Sequence, residues 1–159
     1  MKNHPNIILI LDNLRSVQNT ASIFRTADGA GVSKIILVGT TPAPIDRFGK
    51  ARQDFTKVSL GAEQSITWEY MKTISPVIAK LRKEKFSIFA LEQDNASKDY
   101  SKIKYSPMIA LIIGNEPKGI ARGTLKKVDT IIEIPMYGKK ESLNVSVATG
   151  VALFKILES

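Results

Sequence analysis

Short runs of consecutive apolar residues, many of them β-branched, are the feature of this sequence that most constrains its fold. They are separated by amphipathic stretches, and they occupy residues 7–11, 34–38, 86–91, 108–113 and 130–134. Apolar side chains that follow one another without alternation indicate strands covered on both faces. Strands that alternate with helices favour an α/β fold, with a mostly parallel sheet flanked by helices.

The stretches between these runs carry helix and loop signals. Residues 19–30 are predicted to form a helix with Asn19 as N-cap, ended by Gly31. Ser75 followed by Pro76 predicts another helix start, with the serine as cap and the proline at the first helical position. A basic helical turn or two is expected at 118–127, and a final helix at 144–157 with Asn144 as a candidate cap. Residues 40–60 contain two prolines and several basic side chains, and predict a long loop.

Length and composition limit the classes of protein that fit. The 159 residues suit one domain, 1–159, with no separate RNA-binding extension expected. The chain has no cysteine and a single histidine, His4, which excludes disulfides, thiolate metal sites and cysteine nucleophiles. No metal site is therefore expected. No apolar run is long enough for a transmembrane helix and no secretory signal is present, so we expect a cytoplasmic protein.

An excess of basic residues points to anionic partners. The chain holds 23 Lys and Arg against 15 Asp and Glu, a net charge of +8, which favours nucleic acid first and a membrane surface second. Phe48 and Phe55 stand among the basic residues of the 40–60 segment, where they are expected to be available for stacking on bases. The basic residues predicted to contact a nucleic acid are Arg15, Arg47, Lys50, Arg52, Lys118, Arg122, Lys139 and Lys140.

The segments that follow the predicted strands are where a ligand should bind, because open α/β sheets bind ligands at the carboxyl ends of their strands. Two of these segments are rich in small and polar residues, namely 114–119 and 135–144. No G-x-G-x-x-G follows a strand and no P-loop motif is present, which disfavours the usual dinucleotide and phosphate sites. A small ligand would then be held mainly by backbone groups of strand-end loops.

Three segments together resemble the SpoU/TrmH family of RNA ribose methyltransferases. They are NTASIFRTADGAGVSKIILVG at 19–39, MIALIIGNEPKGI at 108–120 and IEIPMYGKKESLNVSVATGVALF at 132–154. Their order and spacing are those of the family's three motifs. The resemblance implies S-adenosylmethionine as methyl donor, a ribose 2′-hydroxyl of tRNA or rRNA as acceptor, a homodimer and a C-terminal deep trefoil knot. Physical rules of topology alone disfavour a knot.

The resemblance also assigns roles to individual residues. Arg25 takes the family's catalytic arginine position, either as a clamp on a phosphate near the ribose or as the base itself. Arginine stays protonated under ordinary conditions, which favours the clamp without deciding the matter. The remaining catalytic candidates are Asn19, Glu116, Ser142 and Asn144, with Glu116 expected to bind the Arg25 guanidinium or to order the site. The expected cofactor-binding residues are Leu91, Gly114, Asn115, Ile134, Met136 and Leu143.

Some questions stay open at the level of sequence. Ala21 stands where many relatives have glycine, which bears on the choice of substrate. The small size resembles wobble-position tRNA enzymes, whereas the SLNVSVA segment resembles the guanosine-directed branch. One rival hypothesis is a non-catalytic RNA-binding member of the family. Another is an ordinary doubly wound nucleotide-binding protein that uses Glu116 or Asp12 in acid–base chemistry.

Overall fold

The computed structural model describes residues 3–159, and within them seven parallel strands form a single sheet. The strand order is β3-β2-β1-β6-β4-β7-β5. The strands are β1 Asn6–Asp12, β2 Lys34–Val38, β3 Thr67–Met71, β4 Ser87–Leu91, β5 Lys98–Asp99, β6 Met108–Ile113 and β7 Thr130–Glu133. The helices are α1 Val17–Gly29, α2 Gln53–Ser59, α3 Ala62–Ser65, α4 Ser75–Lys83, α5 Arg122–Leu125 and α6 Val145–Glu158, with a 3-10 turn at Tyr100–Lys102. The predicted α/β class and parallel sheet are confirmed.

The apolar runs form the central strands because both faces of the sheet are covered. Along β1, Ile7, Leu9 and Leu11 point into the core that contains α1 and α6. Ile8 and Ile10 point to the opposite core, which contains α4 and α5. Because successive side chains of β1 point into two different apolar cores, the strand is apolar at successive positions. Since all seven strands are parallel, their carboxyl ends lie along one edge of the sheet.

Helix α1 begins two residues before the predicted start, and Asn19 is not its N-cap. Ser16 has extended backbone angles and its Oγ accepts a hydrogen bond from the amide of Asn19 at 3.0 Å, so serine caps the helix. The Asn19 side chain is thereby left for other contacts. The predicted stop is confirmed, because Gly31 takes a positive φ of 70° just after the helix end.

Elements whose stability depends on packing were predicted less well. The segment 40–60 is not all loop, because α2 forms where Phe55 and Ser59 are buried. Strand β3 has no apolar run and was not predicted. Helix α4 begins at Ser75 itself, with no side-chain cap, and the Ser75 hydroxyl accepts a hydrogen bond from Lys127 Nζ at 2.7 Å. The helical part of 118–127 is limited to α5.

The trefoil knot implied by the family resemblance stays a prediction, since strand order alone does not define a knot. In the part of the chain that the structure describes, no helix is both long and apolar enough to cross a membrane.

Candidate active site

The carboxyl ends of β4, β6 and β7 open onto a cavity of about 470 Å³. Its walls come from the segment after each of these strands and from the starts of α1 and α6. The cavity residues that the sequence predicted are Asn19, Leu91, Gly114, Asn115, Glu116, Lys118, Ile134, Met136, Ser142, Leu143 and Asn144. The tertiary structure thus brings together all six predicted cofactor-binding residues and four of the five catalytic candidates.

Glu116 joins the loop after β6 to the start of α1. Its Oε2 accepts a hydrogen bond from the amide of Arg15 at 3.1 Å, and its Oε1 accepts one from the amide of Ser16 at 3.2 Å. Partial burial by itself would raise the pKa of Glu116. Hydrogen bonds from its own amide, from those two amides and from the Asn19 side chain outweigh burial and lower the pKa below the usual value. Glu116 is therefore a fixed carboxylate at neutral pH.

Asn19 connects Glu116 to the third segment of the site. The Asn144 side-chain amide donates to Asn19 Oδ1 at 3.2 Å. The Asn19 backbone amide donates to the Oγ of Ser16, whose own amide donates to Glu116. Asn144 Oδ1 accepts from the amides of Ser146 and Val147 at 2.9 and 3.4 Å, which confirms Asn144 as the N-cap of α6. A continuous set of hydrogen bonds through Ser16 therefore links the three sequence motifs.

The wall between β4 and β6 depends on two residues that the sequence analysis did not select for the site. Glu92 Oε2 accepts a hydrogen bond from the amide of Ile120 at 2.8 Å, and a side chain at Gly119 would overlap this carboxylate. Gly119 also has a positive φ of 69°. The only sequence signal for Glu92 is its position directly after a buried strand.

Gly114 is predicted correctly as a cavity residue, and the packing explains why it is glycine. A Cβ added there would lie 2.8 Å from the backbone carbon of Gly119, closer than real Cβ atoms approach. The chain after β6 turns back on itself at this point, where a bridge pairs Asn115 with Gly119. The absence of a side chain at Gly114 consequently lets the chain pack closely against Gly119 and Ile120 at the cavity wall.

Arg25 lies on the exposed surface of α1 and does not line the cavity. It is six residues beyond Asn19, which corresponds to about 9 Å along a helix axis. The expected contact between Glu116 and the Arg25 guanidinium is not formed, because the Glu116 oxygens are engaged by backbone amides. Within residues 3–159, Arg25 makes no ion pair.

The basic residues predicted to bind RNA occupy several exposed places, and two of them already have acidic partners. Arg52 contacts Asp54 at 2.8 Å, and Arg122 contacts Asp94 at 2.6 Å. The other six are exposed, and Lys118 alone among the eight lines the cavity. The expectation that Phe55 stacks on bases is wrong, because Phe55 is fully buried and packs edge-on against Phe24 at 5.1 Å.

Asp12, the alternative acid–base candidate, lies outside the cavity. Its side chain is 6% exposed at the end of β1, and burial raises its pKa. An acid–base role for Asp12 at this cavity therefore has no geometric support, whereas Glu116 does line the cavity. Among the described residues, no group of three or more His, Asp or Glu side chains is arranged to hold a metal ion.

Comparisons with known proteins agree with this geometry. The model of the SpoU rRNA Methylase family matches residues 6–154. The 23S rRNA (guanosine-2′-O-)-methyltransferase RlmB of Ralstonia nicotianae is 32% identical over 151 residues, which are 95% of this chain and 58% of that protein. The chain thus spans little more than half the length of this curated relative.

Solved structures show the same fold. An AdoMet-bound rRNA methyltransferase from Sinorhizobium meliloti has a TM-score of 0.84 and 28% identity, covering 96% of this chain and 56% of that one. A TrmH/SpoU tRNA modifying enzyme from A. aeolicus also has a TM-score of 0.84, with 26% identity, covering 99% of this chain and 76% of that one. With the family model matched from the first strand into the last helix, the chain belongs to the SpoU rRNA methylase family.

Proposed function

We propose that this protein transfers a methyl group from S-adenosylmethionine to a ribose 2′-hydroxyl of tRNA or rRNA. The observation that carries the proposal is the set of hydrogen bonds beside the cavity that joins Glu116 to Ser16, Ser16 to Asn19 and Asn19 to Asn144, and so connects three segments far apart in sequence. The similarity to proteins named as RNA methyltransferases, one of them AdoMet-bound, supports the same reaction.

The cavity residues suit S-adenosylmethionine. A volume of about 470 Å³ lies within the range of about 300–1,000 Å³ typical of small-molecule sites. Leu91, Ile134 and Met136 provide apolar surface for an adenine ring, and the strand-end backbone provides hydrogen-bonding groups for its edge. Glu133 and Glu141 place carboxylates near a ligand that carries positive sulfonium and ammonium groups. The cavity therefore offers apolar surface to the adenine ring and carboxylates to the sulfonium and ammonium groups.

The bound cofactor supplies an activated methyl group, and the residues of this chain position the hydroxyl that accepts it. Ser142 and Asn144 lie at the cavity wall where the ribose would enter. The Arg25 guanidinium would clamp a phosphate next to that ribose and steer the departing hydroxyl proton toward a phosphate oxygen. A guanidinium that acts as the base itself is the alternative mechanism.

A homodimer is the proposed functional unit. Val147, Val151 and Phe154 are spaced at i, i+4 and i+7 on α6 and form an exposed apolar stripe, with Phe154 50% exposed. Their side chains lie opposite the buried face of α6, which packs into the core through Ala152, Leu153 and Ile156. A second copy packed on this stripe would remove the apolar surface from water.

The position of Arg25 supports a site shared between two copies. The arginine is exposed, lies outside the cavity of its own chain and makes no ion pair in the described residues. A substrate clamped by Arg25 of one copy could therefore reach the cavity of the other. The cytoplasm, where tRNA and rRNA are available, is the proposed location.

Tritium transfer tests the function directly. Purified protein incubated with methyl-tritiated S-adenosylmethionine and total RNA should label RNA, and nuclease digestion should release 2′-O-methylated nucleosides. Calorimetry should show binding of S-adenosylmethionine and much weaker binding of ATP. RNA binding and cofactor binding without label in RNA would indicate a non-catalytic RNA-binding protein. Equal affinity for ATP would favour an ordinary nucleotide-binding protein instead.

A further inference from the structure

The segment after β2 ends in a small hydrogen-bonded hairpin at residues 45–51, here called the tip hairpin. An antiparallel bridge pairs Ile45 with Ala51, and the amide of Asp46 donates to the carbonyl of Lys50 at 2.8 Å. Gly49 takes a positive φ of 79° at the turn. Asp46 Oδ1 accepts hydrogen bonds from the amides of Phe48 and Lys50 at 2.8 and 3.0 Å. The backbone of the turn is consequently held by its own polar contacts.

This rigid turn presents an aromatic ring to solvent. Phe48 is 73% exposed, whereas Phe55, seven residues later, is fully buried. The guanidinium carbon of Arg47 lies 4.8 Å from the centroid of the Phe48 ring, so a cation backs one face of the ring. Phe48 contributes little to the core, and the hydrogen bonds of Asp46 hold the turn without the Phe48 side chain. Folding therefore does not explain why this ring is exposed.

The surroundings of Phe48 suit RNA better than a protein surface. Arg47 and Lys50 flank the ring in sequence, while the nearest exposed apolar side chain of the hairpin is Ile45. A stable protein interface needs about 800 Å² per partner, with an apolar centre, which one ring and one isoleucine do not supply. Cations beside an exposed aromatic ring are the usual arrangement for binding unpaired bases.

The tip hairpin belongs to the segment that leaves the carboxyl edge of the sheet, the edge onto which the cavity opens. The end of β2, where this segment starts, is two strands from β6, which corresponds to about 10 Å at the usual strand spacing. Helix α2, which follows the hairpin, packs on α1 through Phe55 and Phe24. Phe24 is the neighbour of Arg25 in the sequence. The hairpin is thus attached to the helix that carries the proposed phosphate clamp.

We propose that Phe48 stacks on an unpaired base flanking the methylated nucleotide, with Arg47 behind the ring and Lys50 beside the RNA backbone. This proposal rests on RNA being the substrate, as proposed above. It makes Phe48 a residue that selects single-stranded or looped RNA over duplex. Duplex bases stack on each other and cannot offer a face to the ring.

Fluorescence anisotropy with two labelled probes tests the stacking contact. The probes are a 12-nucleotide oligoadenylate and a 12-base-pair RNA duplex, each titrated with the wild-type full chain and with three variants. Phe48→Leu removes the aromatic face but keeps an apolar side chain of similar size, and Phe48→Trp keeps stacking. Lys50→Ala is the matched control, since it removes a charge from the same turn. Melting temperature and light scattering accompany each variant.

The proposal expects Phe48→Leu to weaken oligoadenylate binding about 5- to 100-fold, with duplex binding changed less than twofold. Phe48→Trp should bind the single strand as well as wild type or better. Lys50→Ala should weaken both probes and reduce the salt dependence of each. Equal losses on both probes, or no loss with Phe48→Leu, would overturn the proposal. A change of oligomeric mass with unchanged RNA binding would assign Phe48 to a contact between copies.

The same variants separate this proposal from the proposed function. If wild type labels RNA with tritium while Phe48→Leu keeps oligoadenylate affinity, only the stacking role fails. If wild type binds oligoadenylate through Phe48 but transfers no methyl group to any RNA, methyl transfer fails and the contact stands.

Discussion

The side-chain amide of Asn144 donates a hydrogen bond to Oδ1 of Asn19 at 3.2 Å, although 125 residues separate them in the sequence. Asn144 also caps α6 through its Oδ1, so it uses both ends of its side-chain amide. Because the contact joins the starts of α1 and α6, it sets the relative position of two helices that meet at the cavity. Substitutions in this pair should separate stability from catalysis.

Asn144→Asp should retain the cap of α6 and lose the donor to Asn19. Asp is as good an N-cap as Asn, so the melting temperature should stay within about 2 °C of wild type. Methyl transfer should fall at least 10-fold, because a carboxylate cannot donate to Asn19 Oδ1. Asn144→Ala removes both roles and should cost about 1 kcal/mol of stability. Equal activity of Asn144→Asp and wild type would show that the contact between the asparagines is not needed.

Arg25→Ala should leave the affinity for S-adenosylmethionine within about threefold and lower turnover at least ~100-fold. The reason is that Arg25 is exposed on α1, away from the cavity walls. Calorimetry and single-turnover kinetics measure the two quantities separately. Arg25→Lys keeps a cation without the planar fork and should recover only part of the rate. A comparable loss of cofactor affinity would place Arg25 at the cofactor instead.

Glu116 should make stability depend on pH in the acidic range. Its pKa is lowered from 4.5 in the folded protein, so the folded state binds protons less readily than the unfolded chain. The stabilisation is present above the unfolded value and is lost as pH falls through the lowered folded value. Wild type should therefore melt above Glu116→Gln at pH 7, and the difference should shrink below pH 4.5.

Glu141→Gln is the control for this measurement, because Glu141 is exposed and its side chain makes no ion pair in the described residues. Its melting temperature should differ little from that of wild type at either pH. A Glu116→Gln difference that is independent of pH would indicate lost packing rather than a lost charge.

RNA affinity should fall steeply with salt, and the tip hairpin should contribute a defined part of the slope. Each phosphate contact on a single strand adds about 0.7 to the log–log slope. Replacing Arg47 and Lys50 with Ala should flatten the slope by about 0.7, the contribution of Lys50, because Arg47 lies behind the Phe48 ring rather than at a phosphate. Arg52→Ala should change it less, because Arg52 is paired with Asp54 at 2.8 Å. An unchanged slope in the double variant would mean that the hairpin does not touch RNA.

Light scattering at micromolar concentration should give a mass near twice 17.5 kDa. Phe154→Glu places a charge in the exposed stripe of α6 and should yield monomer or insoluble protein, with methyl transfer lost. Lys155→Glu is the matched control, since it changes the charge of the same turn outside the stripe. A wild-type monomer with full activity would overturn both the dimer and the shared site.

Local pattern was sufficient to predict the central sheet. Strands β1, β2, β4, β6 and β7 fall within two residues of the apolar runs, because strands buried on both faces need consecutive apolar residues. The cap of α6 by Asn144 was also predicted, since a cap acts on the adjacent residues. The motif residues predicted a cavity at the strand ends, and ten of the eleven catalytic and cofactor candidates line it, Arg25 being the exception.

Contacts between distant segments were decided only by tertiary structure. The amides of Arg15 and Ser16, which donate to the Glu116 carboxylate, lie about 100 residues away in the sequence, and no local pattern specifies such a partner. Helix α2 has only seven residues, too few to be stable alone, and it forms because Phe55 is buried against Phe24. Sequence alone therefore determined which segments become strands and which residues stand at their ends. Packing decided that Phe55 is buried while Phe48 is exposed.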